Sequence, residues 1–216
     1  MNNDPNLLAR RRMVREQIAA RGIRDVRLLT VMESVPRHCF VKPDDLAWAY
    51  ADGPLPIGYG QTISQPYIVA LMTELLDLEG TECVLEVGTG SGYQAAVLGG
   101  MAGEVHTLEV IPQLAAQALE TLAGLGYTNV HVHAADGSLG WPEASPYDGI
   151  LVAAAAPSVP QPLLDQLVAD GGRLVIPIGS RGDQKLETWT RRGKKFEQGI
   201  NISVAFVPLR GKLGWN

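Results

Sequence analysis

The chain has 216 residues, enough for one α/β domain with its own core. Hydrophobic residues make up 46% and charged residues 19%, a globular balance that excludes a disordered chain. The net charge of −5 argues against a phosphate backbone as the main partner, because such proteins carry a basic patch.

Arg10, Arg11 and Arg12 form the one basic run near the start and read as a solvated helix face. Two cysteines, Cys39 and Cys83, are too few for a disulfide framework, and no Cys/His spacing suggests a metal. Cys83 stands in an apolar run and reads as a buried small hydrophobe. Residues 1–17 lack the apolar segment of a secretion signal, and no apolar run approaches the ~20 residues that span a bilayer. The expectation is a cytoplasmic monomer with no membrane or nucleic-acid partner.

Residues 1–50 read as a helical extension. Asp4-Pro5 suits a helix start, Leu7, Leu8, Val14 and Ile18 recur near helical spacing, and Gly22 can end the run. Asp25 is placed to cap a second helix with Leu28, Leu29, Met32 and Val35 inward, and Pro36 ends it. Residues 43–50 suggest a short third helix. Residues 52–65, with Gly53, Pro54, Pro56, Gly58 and Gly60, read as a long irregular segment. Such segments are uncommon in compact chains unless they bind something, the alternative being a surface connector. Pro66 then suits the first turn of a helix carrying Ile68, Leu71, Met72 and Leu75.

From residue 82 strands and helices alternate. Strands are expected at residues 83–87, 105–110, 130–134, 147–153 and 173–178. Helices are expected after the glycine loop through Leu98, over 112–122 and over 160–168. Alternation of this kind implies a parallel sheet with helices on both faces. Residues 184–191 and 201–207, joined through Arg192-Gly193-Lys194, suggest an antiparallel hairpin at the sheet edge.

Chemistry concentrates at three strand ends. Glu86-Val87-Gly88-Thr89-Gly90-Ser91-Gly92 follows a strand and opens a helix, where glycines let a backbone approach a ligand closely. The spacing is G-x-G-x-G, and Tyr93 stands where the dinucleotide fingerprint needs glycine, which demotes an NAD(P) reading. Glu109 ends the second strand about 20 residues further on, where an acid grips ribose hydroxyls. Asp136-Gly137 follows the third strand; Asp136 can accept from an adenine amino group and Gly137 leaves room for the ring, the alternative being a simple turn. The fourth strand ends Ala153-Ala154-Ala155-Ala156-Pro157 and offers no side-chain base, which suits an acceptor that arrives already nucleophilic. His38, His106, His131 and His133 are spread through the sequence and read as packing or edge residues, and the four tryptophans likewise.

The segments Gly58-Tyr59-Gly60-Gln61-Thr62-Ile63-Ser64-Gln65-Pro66, Val84 to Tyr93 and Gly171-Gly172-Arg173-Leu174-Val175-Ile176-Pro177 resemble bacterial protein-L-isoaspartate O-methyltransferases. So do Val35-Pro36-Arg37 with Phe40, and Phe206-Val207-Pro208-Leu209. The resemblance implies a Rossmann-like class I methyltransferase sheet, mostly parallel with an antiparallel C-terminal edge and an N-terminal helical extension. It implies one domain over 1–216, with 51–66 as substrate loop, 80–180 as cofactor core and 181–216 as C-terminal strands. The implied reaction is methyl transfer from S-adenosyl-L-methionine, without a metal, to the free α-carboxylate of L-isoaspartyl residues in proteins and peptides. The ester then closes to a succinimide, the first stage of repair, and S-adenosyl-L-homocysteine is left. The family's active-site serine falls on Ser64, and its cofactor positions fall on Gly88, Gly90, Ser91, Gly92, Glu109, Asp136 and Gly137. The tail after Leu209 is short, which leaves the closure of that side of the site open.

A carboxylate acceptor, with a pKa of about 4, is ionised at neutral pH and needs no general base. Orientation is the remaining task. Ser64 is assigned to hold one carboxylate oxygen, the alternative being an N-cap for the helix entered at Pro66. Thr62 either assists or packs inward. Three competing readings are a class I methyltransferase for another carboxylate, small molecule or nucleic acid, an NAD-dependent oxidoreductase, and a non-catalytic module.

Overall fold

The computed structural model describes residues 5–215, so Asp4 of the expected helix start lies outside the described residues. Helix α1, Leu7–Met13, continues through a π turn, Val14–Ile18, and a 3-10 turn, Ala19–Arg21. Gly22 stops it at φ +104, a left-handed angle that glycine adopts without a Cβ penalty. Asp25 caps α2, Val26–Ser34, its carboxylate accepting the N–H groups of Arg27 at 2.8 Å and Leu28 at 3.1 Å. Caps of this type contribute about 1 kcal/mol. Leu28, Met32 and Val35 are fully buried as expected, while Leu29 is half-buried. The third helix is 3-10, over Pro43–Trp48.

The arginine run divides. Arg11 and Arg12 are exposed, but Arg10 is buried, donating from Nε to the Glu33 carbonyl and from a terminal nitrogen to the Tyr50 hydroxyl at 3.3 Å. The uniformly solvated face expected from three adjacent charges is therefore corrected: helical rotation carries the first of them under α2.

Residues 52–65 are not irregular throughout. β1, Leu55–Gly58, pairs antiparallel with β2, Gln61–Ile63. Gly58, Tyr59 and Gly60 make the turn at φ +101, +53 and +73. Strands this short leave no alternation for a sequence to display. α3, Pro66–Leu76, buries Val69, Ala70, Met72, Thr73 and Leu76; Ile68, Leu71 and Leu75 are only half-buried, so its inner face is rotated from the expected one.

The main sheet has the order β5-β4-β3-β6-β7-β8-β9. Its strands are β3 (Cys83–Val87), β4 (Glu104–Glu109), β5 (Val130–Ala134), β6 (Gly149–Val152), β7 (Asp170–Ser180), β8 (Asp183–Arg192) and β9 (Lys195–Val204). β5, β4, β3, β6 and β7 run parallel, and β7, β8 and β9 antiparallel. The C-terminal hairpin turns where expected, though its second strand begins at Lys195 rather than 201. The intervening helices are α4 (Tyr93–Met101), α5 (Pro112–Gly124) and α6 (Gln161–Asp165).

Alternate residues of the strands feed two cores. Val84, Val105, Leu151 and Val175 pack under the N-terminal helices and α3 to α5, while Leu85, Leu108, Ile150 and Leu174 face α6. Side chains buried this fully contribute roughly 1.5–3 kcal/mol each. The second face has only five-residue α6 and short turns to cover it, so it is thinly covered near β4 and β5. Among the described residues no helix is long and apolar enough to cross a membrane.

Candidate active site

β3 is flanked by β4 and β6, so strand order reverses beside it. Open α/β sheets leave a crevice at the carboxyl ends of the strands there. The crevice is an open cleft with about 740 Å³ of space between its walls, solvent at the mouth included. The chain leaves β3 through Gly88, Gly90 and Gly92 at φ +96, +54 and +89, angles that side chains disfavour. A Cβ on Gly90 would stand 3.3 Å from Ile57 Cδ1 of the β1–β2 hairpin. Gly88, Gly90 and Ser91 line the cleft. Gly92 sits behind it, where a Cβ would meet Leu122 at 3.3 Å and Ala118 at 3.4 Å.

Glu109 ends β4 and lines the cleft while only 5% exposed. Its Oε2 accepts the Gly90 N–H at 2.9 Å and its Oε1 the Ile111 N–H at 2.9 Å. An ionised carboxylate has about four lone-pair sites, so capacity remains for a ligand's hydroxyls. The acid thus also holds the glycine loop in shape.

Asp136 and Gly137 differ. Gly137 lines the cleft, and a Cβ there would lie 2.5 Å from Val87 Cγ1. Asp136 does not line it. One carboxylate oxygen accepts from Ser138 N–H at 3.0 Å and Ser138 Oγ at 2.7 Å; the other accepts the Lys212 N–H at 2.7 Å. Burial raises its pKa, but the Lys212 and Ser138 hydrogen bonds outweigh that and hold it below the usual carboxylate value. The short tail is closed by these bonds, by Leu213 N–H on Ser138 Oγ at 3.1 Å and by Trp215 Nε1–H on the Ala155 carbonyl at 3.0 Å.

The hairpin forms the opposite wall. Thr62 and Ser64 both line the cleft. Thr62 is exposed while Ile63 is buried, so Thr62 does not pack inward. Ser64 makes no hydrogen bond to the described residues, and the N-cap position of α3 is Gln65, without a side-chain cap bond. The capping alternative for Ser64 is thereby removed. Gln65 Nε2 instead donates to Asp52 Oδ1 at 2.7 Å, tying the hairpin's base.

Two features escaped sequence reasoning. Arg210 lines the cleft mouth and is exposed, its guanidinium 4.0 Å from where a Gly60 Cβ would be. Nothing local marked it. Glu86 is fully buried; Thr107 Oγ1 donates to its Oε2 at 2.5 Å, and Thr89 Oγ1 lies 2.6 Å from Thr107 Oγ1. Burial, reinforced by Glu109 and opposed by Thr107, lifts its pKa to about 8. A lone acid in an apolar strand was the available signal.

Residues 9–214 match the family model for protein-L-isoaspartate(D-aspartate) O-methyltransferase (PCMT). The chain belongs to this family. A protein-L-isoaspartate O-methyltransferase 2 of Marinobacter nauticus is 57% identical to this methyltransferase family member, with 100% of each chain covered. A protein-L-isoaspartate O-methyltransferase of Methanoregula boonei is 55% identical, covering 95% of this chain and 94% of its own. Among solved structures, a protein-L-isoaspartate O-methyltransferase superposes with a TM-score of 0.83 at 28% identity, covering 94% of this chain and 67% of that one. A Plasmodium falciparum structure described as a PCMT in complex with S-adenosyl-L-homocysteine gives 0.78 at 27%, covering 93% and 98%. The Rossmann-like class I methyltransferase sheet expected from the sequence is the fold observed.

Proposed function

We propose that this protein transfers a methyl group from S-adenosyl-L-methionine to the free α-carboxylate of L-isoaspartyl residues in damaged proteins. The methyl ester closes to a succinimide and so begins repair. The observation that carries this reading is one cleft shared by the glycine loop, Glu109 and the hairpin residue Ser64. Residues 1–216 act as one unit in it, with 51–66 as the substrate loop.

The cleft fits the cofactor. Positive-φ glycines bare the backbone at Gly88 and Gly90, and Gly137 keeps the floor open between Val87 and the adenine side. Glu109 holds the ribose hydroxyls with its remaining acceptor capacity. Ser91 lines the same wall, and Gly92 sets the loop's return into α4. Asp136 acts indirectly, by fixing the turn and the tail around Gly137 through its bonds to Ser138 and Lys212. S-adenosylmethionine supplies an electrophilic methyl on a sulfonium, and no metal takes part in this chemistry.

Ser64 Oγ donates to one oxygen of the incoming carboxylate and leaves the other free to attack. Its hydroxyl has no competing partner among the described residues, so it is available for that bond. Thr62, exposed on the same wall, assists. Arg210 at the mouth draws the anionic acceptor in. No proton is removed from the nucleophile, in keeping with the absence of a side-chain base at Ala153 and Ala154, which line the cleft beside the β6 end. Orientation of this kind is worth up to roughly 7–11 kcal/mol of barrier. The acceptors are proteins and peptides rather than nucleic acid, consistent with a charge of −5, and the enzyme works as a cytoplasmic monomer.

The deciding experiment is label transfer from methyl-labelled S-adenosylmethionine to an isoaspartyl peptide and to its normal aspartyl twin. Base-labile label on the first alone is expected. Equal labelling of both, or label only on a small carboxylic acid, overturns the reading in favour of another carboxyl methyltransferase.

A further inference from the structure

The opposite rim of the sheet gathers a second set of reactive side chains. Parallel register places Cys83 beside Glu104, His106 beside His131, and Leu108 beside His133. Residues paired in register share a face, so Cys83, Glu104, His106, His131 and His133 all project on the α6 face, at its thinly covered part. Ligand atoms of Cys83, Glu104 and His106 all lie within 4.8 Å of one another. Glu104 Oε1 is 3.4 Å from His106 Nε2 and 3.2 Å from His131 Nε2.

We propose that Cys83, Glu104 and His106 form the core of a binding site for a divalent late first-row transition metal, with zinc(II) as its occupant and His131, beside Glu104, swinging in as the fourth ligand. Zinc bonds to nitrogen and oxygen of about 2.0–2.1 Å at tetrahedral angles put neighbouring donors about 3.3 Å apart. The two Glu104–imidazole distances stand at that spacing already. Thiolate, carboxylate and two imidazoles are a donor set that selects zinc over magnesium or calcium. With the thiol proton released to water on binding, the thiolate and carboxylate cancel the ion's two charges.

The surroundings orient the ligands as metal sites require. His106 Nδ1 lies 3.1 Å from His133 Nε2, so a proton on Nδ1 donates there and leaves the His106 Nε2 lone pair toward Glu104. His106 stacks on His133 at 5.4 Å, and His133 on Trp141 at 4.4 Å, which fixes the ring planes. The Cys83 N–H donates to Asp148 Oδ2 at 2.9 Å, anchoring the first residue of β3. Entry is open, since the Glu104 and His131 side chains are 52% and 42% exposed. The ion would clip the starts of three strands and leave the carboxyl-end cleft alone.

The test uses the full chain, stripped with a chelator and titrated with cobalt(II), then zinc(II). One cobalt per chain is expected, with a thiolate-to-cobalt charge-transfer band that one equivalent of zinc abolishes. Cys83→Ser should remove the band. His106→Gln and His131→Gln should each weaken zinc binding at least tenfold by calorimetry, and His133→Gln by about 10–100-fold. Methyl transfer and S-adenosylhomocysteine binding should not change in any of them. X-ray absorption of the zinc-loaded wild-type protein, which needs no variant, should read one sulfur with nitrogen and oxygen neighbours. A sulfur-free shell, binding well below one equivalent, or unchanged affinity in Cys83→Ser/His106→Gln overturns the proposal.

Discussion

The two rims of one sheet collect polar side chains in different ways. At the carboxyl rim a single stretch, Glu86 to Gly92, supplies the loop, and one acid, Glu109, both shapes it and lines the cleft. At the amino rim no two of Cys83, Glu104, His106 and His131 come from the same short motif except Glu104 and His106; β3, β4 and β5 each contribute. The carboxyl rim relies on backbone N–H groups and positive-φ glycines, which local sequence encodes. The amino rim relies on pairing between strands, which it does not.

Changes at the carboxyl rim should therefore act on cofactor and turnover, and changes at the amino rim should not. Glu109→Ala should have the largest effect. It removes an acceptor of two backbone N–H groups together with the proposed ribose contacts. Hydrogen bonds to charged groups are worth about 1.5–3 kcal/mol each, so S-adenosylhomocysteine affinity should fall about a hundredfold or more. Calorimetry that finds it nearly unchanged would break the assignment of Glu109 to the ribose.

Ser64→Ala comes next. With no bond to lose inside the protein, it should leave Tm and cofactor affinity as they are while kcat drops about a hundredfold, the scale of a misaligned nucleophile. A loss of Tm with unchanged kcat would return Ser64 to a structural role. Arg210→Ala should raise KM for an anionic isoaspartyl peptide by about threefold, the worth of an exposed charge pair, and added salt should erase the difference.

Glu86, buried in β3 at the carboxyl rim, sharpens the comparison through stability. Its folded pKa of about 8 stands above the unfolded value of about 4.3. A raised pKa means the folded state binds the extra proton, so Glu86 contributes stability below the unfolded value that is lost as pH rises through about 8. Thermal melts of the wild type should decline over that window, and Glu86→Gln, uncharged at any pH, should flatten the decline. Parallel curves for the two proteins would show that Glu86 is not the group responsible.

Much of this was legible in residue order. β3 and β5 fall on the expected residues, the Asp25 cap forms, and Gly22 stops α1 where glycine is needed. The expected site residues other than Gly92 and Asp136 meet in the cleft. What failed did so for identifiable reasons. The β1–β2 strands are too short to show a period, Arg10 is turned inward by helical rotation, and Cys83 is half-buried because it begins its strand at the sheet's rim.

By itself the sequence determined the strand–glycine loop–helix unit and the acid at the end of the next strand, because turn geometry and hydrophobic period act over a few neighbouring residues. Only the tertiary structure decided that Lys212 would occupy Asp136, that Arg210 would stand at the cleft mouth, and that His106 of one strand would stack on His131 and His133 of the next, beside Cys83. Those placements depend on strand order and register, which are set by burial of the whole sheet and leave no local mark.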